Sequence, residues 1–328
     1  MKRPSRILLS RTDSIGDVVL TLPMAAVLRQ LYPEAKILFL GRSYTQPVLN
    51  ACENIDEFYN WDTVEDTAAD EQARLLRCTN ADIILHVFPR PAIARAAKRA
   101  HIPLRLGTTN RRFHWGTCNR LIRLSRKRSP LHEAQLNLKL LKPLGAQDLY
   151  ARDEIAKLYG LRAHKPLPQN WATTLADHKF NLILHPTSAG SALQWSIKSF
   201  VKLIDLLPQD KFELFLTGTA ADGAVLTELL HKCPSVHDMT GKMNLDELIS
   251  FIAAADGLLA GSTGPLHLAA ALGIHAIGLY PSRRPMHPDR WAPLGYQADY
   301  IEDGVTTPYE GDLQISPQVV VQKLLELV

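Results

Sequence analysis

The stretch Leu258-Leu259-Ala260-Gly261-Ser262-Thr263-Gly264-Pro265-Leu266-His267-Leu268-Ala269-Ala270-Ala271-Leu272-Gly273 decides the fold. Its apolar opening reads as a buried strand and its tail of small and apolar residues reads as a helix. A Ser-Thr-Gly turn between strand and helix aims several backbone N–H groups at one place, and the helix dipole favours negative charge there, so the turn is a candidate phosphate seat. Gly264 lets a ligand come close to the backbone. His267 lies one turn into the helix and could face the same ligand. The plainer alternative is a helix capped by Ser262 or Thr263, with His267 merely packed.

A second strand–turn–helix stands near the N-terminus. Arg6-Ile7-Leu8-Leu9-Ser10 reads as a strand, and Arg11-Thr12-Asp13-Ser14-Ile15-Gly16-Asp17 leads into a helix start. With one glycine this turn is not a dinucleotide fingerprint, and it lacks the GxxxxGK[ST] phosphate loop. Asp17, just after Gly16 at a helix N-terminus, is expected to be held as a carboxylate by backbone donors, which suits a general base or an electrostatic stabiliser. A simple helix cap is the alternative.

Strand-like and helix-like runs alternate along both halves. Strands are expected at 6–10, 36–40, 57–60, 82–87 and 104–107, and again at 181–185, 212–217, 257–260 and 275–279. Alternation of this kind gives an α/β fold with parallel sheets covered by helices on both faces. Residues 111–129 read as a mobile basic loop or an amphipathic helix carrying Trp115, Leu121, Ile122 and Leu124. Residues 132–144 read as a helix stopped by Gly145. The polar run 163–181, with Pro166 and Pro168, reads as an interdomain linker. Open α/β sheets bind ligands at the carboxyl ends of their strands. Three turns of the second half fall there: His185-Pro186-Thr187-Ser188-Ala189-Gly190-Ser191, Thr217-Gly218-Thr219-Ala220-Ala221-Asp222, and Ser262 to His267. The first has hydroxyls and N–H groups for a pyrophosphate. In the second, Asp222 meets a ribose hydroxyl or acts as a dipole partner.

The chain has 328 residues, 46% of them hydrophobic, which fits two ordinary globular domains. No run approaches the ~20 apolar residues of a membrane span. The first apolar run is too short for a signal peptide and is interrupted by Arg11 and Asp13, so a cytoplasmic protein is expected. Cys52, Cys78, Cys118 and Cys233 have no CxxC spacing and read as free thiols, and the twelve histidines show no zinc pattern. The net charge of +4 conceals an asymmetry: residues 83–132 hold twelve Lys or Arg, Lys127 and Arg128 among them, and no Asp or Glu. Such a block implies an acidic partner. Nucleic acid is set aside because no RNP, KH or helix-turn-helix signature accompanies it.

Taken in order, Ile15-Gly16-Asp17 with Leu22-Pro23, His132-Glu133 before Leu144-Gly145, His185-Pro186-Thr187-Ser188 with Trp195, Gly241-Lys242-Met243 and Ser262-Thr263-Gly264-Pro265-Leu266-His267 resemble glycosyltransferase family 9, the heptosyltransferases of the lipopolysaccharide inner core. The resemblance implies a GT-B arrangement, two Rossmann-like doubly wound domains facing a central cleft. Residues 1–165 would bind the acceptor, 166–315 the nucleotide-sugar, and 316–328 would form a helix packing back on the first domain. It implies a metal-independent, inverting transfer of heptose from ADP-heptose to an acidic glycolipid acceptor, with no cofactor beyond that donor. Asp17 is the implied catalytic base, with Asp13 its competitor. Donor-binding residues are Thr187, Ser188, Gly218, Met243 (against adenine), Ser262, Thr263, Gly264 and His267. Gly16, Arg111, Arg112, Arg120 and Arg123 would bind the acceptor.

Two departures stand out. The family usually has a lysine where Leu193 stands and an Asp where Ser262 stands. Lys198, Arg283 and Arg284 are the candidate substitutes toward the donor phosphates. The same departures motivate an alternative, a non-catalytic or differently specific nucleotide-sugar or glycolipid-binding member of the fold. A monomer is expected, with peripheral contact to the anionic inner face of the inner membrane.

Overall fold

The structure is a computed structural model that describes residues 3–126, 129–188, 190, 192–305, 307 and 311–328. The chain divides into two compact units, Met1–Arg162 and Ala163–Val328, so the boundary falls three residues before the expected one. Lys127, Arg128, Ala189 and Ser191 lie outside the described residues.

The first unit is built on β1 (Arg6–Ser10), β2 (Lys36–Gly41), β3 (Glu57–Asn60), β4 (Ile83–His86), β5 (Leu104–Thr108) and β6 (Arg120–Ile122), in the order β3-β2-β1-β4-β5-β6. The second uses β7 (Phe180–His185), β8 (Phe212–Leu216), β9 (His237–Asp238), β10 (Gly257–Gly261), β11 (His275–Tyr280) and β12 (Ala298–Glu302), in the order β12-β11-β10-β7-β8-β9. Every pairing is parallel. Counted from its own first strand, each sheet has the same doubly wound order, with the fourth strand beside the first. The strand order reverses between β1 and β4 in one unit and between β7 and β10 in the other. Crevices outside those carboxyl ends are where such sheets take ligands.

The central strands are near-continuous apolar runs because helices cover both their faces. Leu8, Leu38, Ile84, Ile93, Ala97 and Trp61 share one core of the first unit. Leu184, Leu216, Leu259, Trp195 and Phe200 anchor that of the second. The C-terminal helix Pro317–Leu325, expected to pack on the first domain, belongs to the second unit. Its buried Val320 and Leu324 complete the second core against helix Ile197–Leu206. The segment before it is laced to the same place: the Trp195 indole donates to Ile315 O at 2.9 Å, and Leu313 N–H to Gln194 O at 2.8 Å. Lys323 reaches Asp299 of β12 at 2.7 Å. The described residues 111–126 are also not one loop or helix. They form helix Arg112–Thr117 and then edge strand β6.

Two histidines close central strands. Burial holds His86, at the end of β4, down to about 3, with the charges of His114 and Arg105 adding to it. Burial holds His185, at the end of β7, down to about 4, against a smaller opposing pull from Asp222. An unfolded histidine titrates near 6.5, so the unfolded chain takes up protons first as pH falls. The contribution of His86 is therefore complete above about pH 6.5 and is lost progressively toward pH 3. It amounts to about 4–5 kcal/mol in full, of which about 2–3 kcal/mol is gone by pH 4.5. Urea unfolding of wild type and His86→Leu at pH 7.5 and 4.5 should show the acid loss reduced by that amount in the variant. Equal losses in both would refute the assignment.

Candidate active site

At the first switch point the sequence turns directly from strand to charge. Arg11 follows β1 and is buried. Its guanidinium grips Asp13 with two hydrogen bonds, at 2.7 and 2.9 Å, and forms an ion pair with Asp17. On its other side it reaches Asn137 at 3.3 Å and Glu133 at 3.5 Å. Asp17 stands in the first turn of helix Ile15–Val19. Its second oxygen accepts from the Ser14 hydroxyl at 2.5 Å. The expected backbone donors are thus replaced by side chains, because Ser14, at the cap position, spends its hydroxyl on the carboxylate and makes no cap bond.

Helix Glu133–Lys139 supplies the far wall. His132 caps it, accepting from Ala134 N–H at 3.2 Å while Gln135 takes the His132 N–H at 3.0 Å. Glu133 is buried and paired with both Arg11 and Arg126, and Arg126 also donates to Asn137 at 3.0 Å and Val87 O at 3.2 Å. Two guanidinium groups therefore sit among three carboxylates. Burial raises the Asp13 carboxyl, and the Asp17 charge adds to the rise, while the Arg11 attraction offsets only part of it. Arg11 itself is raised despite burial, because three carboxylates act on it. The unequal result follows from the count: Arg11 has three opposite charges, Asp13 has one.

Gly16 is buried in the same turn. Arg111, Arg112, Arg120 and Arg123 are exposed, on helix Arg112–Thr117 and around β6. They make no ion pair among the described residues and do not enter the Asp17 network. The network instead recruits Arg11, Glu133, Arg126 and Asn137, which the sequence reading did not name as site residues. Two hints were available: Arg11, a charge placed directly after a buried strand, and Glu133 in the His132-Glu133 pair.

At the second switch point, β7 ends in His185, whose Nδ1 lies 2.9 Å from the Thr217 hydroxyl. Thr187 and Ser188 are buried, and Ser188 donates to Ala192 O at 2.9 Å. Asp222 closes a capping box, accepting from Thr219 N–H at 2.7 Å and from its hydroxyl at 2.6 Å. Burial would raise this carboxyl, but the Thr219 and Thr187 hydrogen bonds outweigh it and leave it lowered. Of its two expected roles, Asp222 has taken the helix-end one.

The turn 217–219 is tied to the segment 241–243 by Gly241 N–H donating to Gly218 O at 2.9 Å. Gly241 has φ +66°, and an added Cβ would lie 2.9 Å from Ala220 Cα. Gly241→Ala should therefore cost about 1–3 kcal/mol, read as a lower urea midpoint with an unchanged slope; an unchanged midpoint would refute it. Met243 is half-buried just past this turn, and Lys242 is tied back to Asp238 O at 2.7 Å.

Beyond β10, Thr263 stands at the cap position of helix Gly264–Leu272 but makes no side-chain cap bond. Its hydroxyl is buried and has no hydrogen-bond partner among the described residues. The capping alternative for this turn is therefore absent, and the first-turn N–H groups of Gly264 and Leu266 stay uncapped by Thr263. Ser262 is half-buried, and His267 is buried one turn into the helix. β11 runs parallel beside β10, so Arg283 and Arg284 emerge one strand away. Lys198 is exposed and its charge acts on Glu228 of helix Gly223–Lys232. Leu193 packs on the second core, so the place of the family lysine serves hydrophobic packing here. No group of three or more His, Cys, Asp or Glu that could hold a metal ion occurs among the described residues.

Two identically ordered parallel sheets, each with its candidate turn at the switch point, form the GT-B architecture. The model described as "Glycosyltransferase family 9 (heptosyltransferase)" matches residues 73–307, and the chain belongs to that family. It is 25% identical over 278 residues to lipopolysaccharide heptosyltransferase 3 of Escherichia coli K12, covering 81% of this chain and 79% of that protein. It is 24% identical over 336 residues to the lipopolysaccharide core heptosyltransferase OpsX of Haemophilus influenzae, covering 95% and 86%. The solved E. coli ADP-heptose lps heptosyltransferase II superposes with a TM-score of 0.78 at 23% identity, over 98% of each chain.

Proposed function

We propose that this glycosyltransferase moves heptose from ADP-heptose to an acidic inner-core lipopolysaccharide acceptor, with inversion and without a metal. The observation that carries the donor half is the uncapped start of helix Gly264–Leu272, with the Thr263 hydroxyl buried and unpartnered at the second switch point. A diphosphate would satisfy that hydroxyl together with the first-turn N–H groups. Thr187, Ser188, Gly218, Met243, Ser262, Gly264 and His267 would line the remainder of the donor site. Lys198, Arg283 and Arg284 are proposed to supply the cationic charge the family lysine otherwise gives. Gly16, Arg111, Arg112, Arg120 and Arg123 would meet the acceptor's phosphates and carboxylates.

In the reaction the acceptor hydroxyl oxygen attacks the anomeric carbon from the face opposite the diphosphate. The carbon–oxygen bond to the diphosphate breaks and ADP leaves with its electron pair. The hydroxyl proton goes to Asp17, whose orientation Arg11 and Ser14 fix. The helix N-terminus and the arginines meet the charge that builds on the leaving group, a kind of stabilisation that accounts for several kcal/mol in other enzymes. The names of the E. coli and H. influenzae relatives support the substrate class.

Calorimetric titration with ADP, UDP, GDP and NAD, each with and without magnesium, tests this. Selective ADP binding that ignores magnesium is the expected outcome, and selective UDP or GDP binding would change the sugar donor. Leu193, packed into the core, favours a second reading, a member of the fold that binds nucleotide-sugar without turnover. Donor binding with no product across a panel of acceptors would establish it.

A further inference from the structure

Tyr44 stands just beyond β2 and is 48% exposed. Its hydroxyl is committed to the neighbouring turn, where it donates to Asp13 O at 2.5 Å. Burial raises the phenol above its ordinary range, the Asp13 and Asp17 charges add to the rise, and Arg42 opposes it. The hydroxyl therefore lies within electrostatic reach of both carboxylates, and the exposed part of the side chain is the ring.

The backbone under the ring is fixed. Ser43 donates from its N–H and its hydroxyl to Asp62 at 2.8 and 2.6 Å. Thr45 donates from its N–H and its hydroxyl to Arg42 O at 3.0 and 2.9 Å. Asp62 is set in turn by the segment after β3, where its N–H donates to Asn60 at 3.0 Å. Helix Gln46–Asn50 begins directly after Thr45 and packs near helix Ile15–Val19. A ring tied at its backbone and at its hydroxyl loses little freedom when a ligand covers it.

Charge on this rim is already balanced. Arg42 pairs with Asp62 and with Glu65, each at 2.8 Å, and Arg90, after β4, pairs with the other Glu65 oxygen. Two guanidinium groups thus meet two carboxylates, which makes this rim a poor seat for a phosphate or a carboxylate. It offers an aromatic face beside the Asp13–Asp17 turn.

We infer that Tyr44 is the platform on which a sugar ring of the acceptor stacks, so that a hydroxyl of that ring is presented to Asp17. A pyranose has a face of C–H bonds whose positive ends suit the negative face of an aromatic ring. Tyrosine offers that face at low cost in side-chain entropy. Holding the acceptor ring at one height and tilt is the positioning that a direct displacement needs. The inference deepens the proposed function and rests on its acceptor being a saccharide bound by the first domain.

The test uses the full chain and a deacylated inner-core oligosaccharide in solution. With no donor present, saturation-transfer NMR should mark the C–H protons of one sugar, and Tyr44→Ala should weaken binding about tenfold. Tyr44→Phe keeps the ring and should bind within about twofold of wild type. Under turnover, Tyr44→Ala should raise the acceptor KM by about the same tenfold, with kcat and the donor KM moving far less. ADP affinity should be equal in all three proteins. A residue that only braces the Asp13 turn would behave otherwise: Tyr44→Phe, which lacks the bond to Asp13 O, would lose kcat as Tyr44→Ala does. That result overturns the inference. So does wild type that fails to bind the oligosaccharide, or binding unmoved by Tyr44→Ala. Loss of ADP affinity in Tyr44→Ala overturns it too, since the ring would then be a nucleotide contact. If the oligosaccharide binds and responds to Tyr44→Ala while no sugar is transferred, the proposed function fails and the platform stands.

Discussion

Asp17→Asn should lower kcat by about 10²–10⁴ and leave the affinity for ADP unchanged. Asparagine keeps the shape of the side chain and still accepts from Arg11 or Ser14, so the turn before helix Ile15–Val19 should hold its geometry. What it loses is the capacity to take the acceptor's proton. The residues proposed to bind the donor belong to the other folding unit, which is why nucleotide affinity should not move. Asp13 provides the control. Its carboxyl is the one raised by burial, and Arg11 holds it with two hydrogen bonds. Single-turnover measurements on Asp17→Asn and Asp13→Asn separate the two. If Asp13→Asn alone abolishes transfer, the base is Asp13 and Asp17 only positions it. If both variants turn over normally, neither carboxylate is the base.

The central strands and the turns after them were legible because both faces of those strands are covered, which forces unbroken apolar runs such as Ile7-Leu8-Leu9. The missed strands are the outer ones. β6 has three residues, two of them exposed, β9 has two, and β12 is half-exposed and carries Asp299 and Glu302. An edge strand needs no continuous apolar run, so its pattern resembles a loop. The C-terminal helix shows a related limit. The spacing of Val320 and Leu324 announces an apolar stripe but not which core receives it. The site divides the same way. Asp17 was visible through the Gly-Asp pair at a helix start. Its supporting shell was not, since Arg11 meets Glu133 and Asn137 across 122 and 126 residues of chain. Pairing at that distance leaves no local periodicity. At Thr263 the sequence allowed either a cap or an open anion seat, and only the unused hydroxyl distinguishes them.

Arg11→Met should destabilise the first unit by about 3–5 kcal/mol. Methionine fills much of the same volume, so the loss is electrostatic rather than a cavity. Without Arg11, Arg126 is the remaining guanidinium in the network, and it serves Glu133 and Asn137. Asp13 and Asp17 would then face each other with no guanidinium between them. Arg11→Lys should recover only part of the loss, because one ammonium cannot make two parallel bonds to Asp13 while also reaching Asp17 and Asn137. The pH dependence gives the mechanism its sign. Carboxylates stripped of their cation have folded pKa values above the ordinary range near 4, so in the variant they favour the folded state only once protonated. The deficit relative to wild type should be greatest at neutral pH and should shrink as pH falls toward 4, opposite to the acid loss that His86 imposes on both proteins. Urea midpoints of the two proteins, compared at each pH from 7.5 to 4.5, read this directly. A deficit that does not change with pH would mean that Arg11 holds the turn by packing its buried stem and that the charge network adds little.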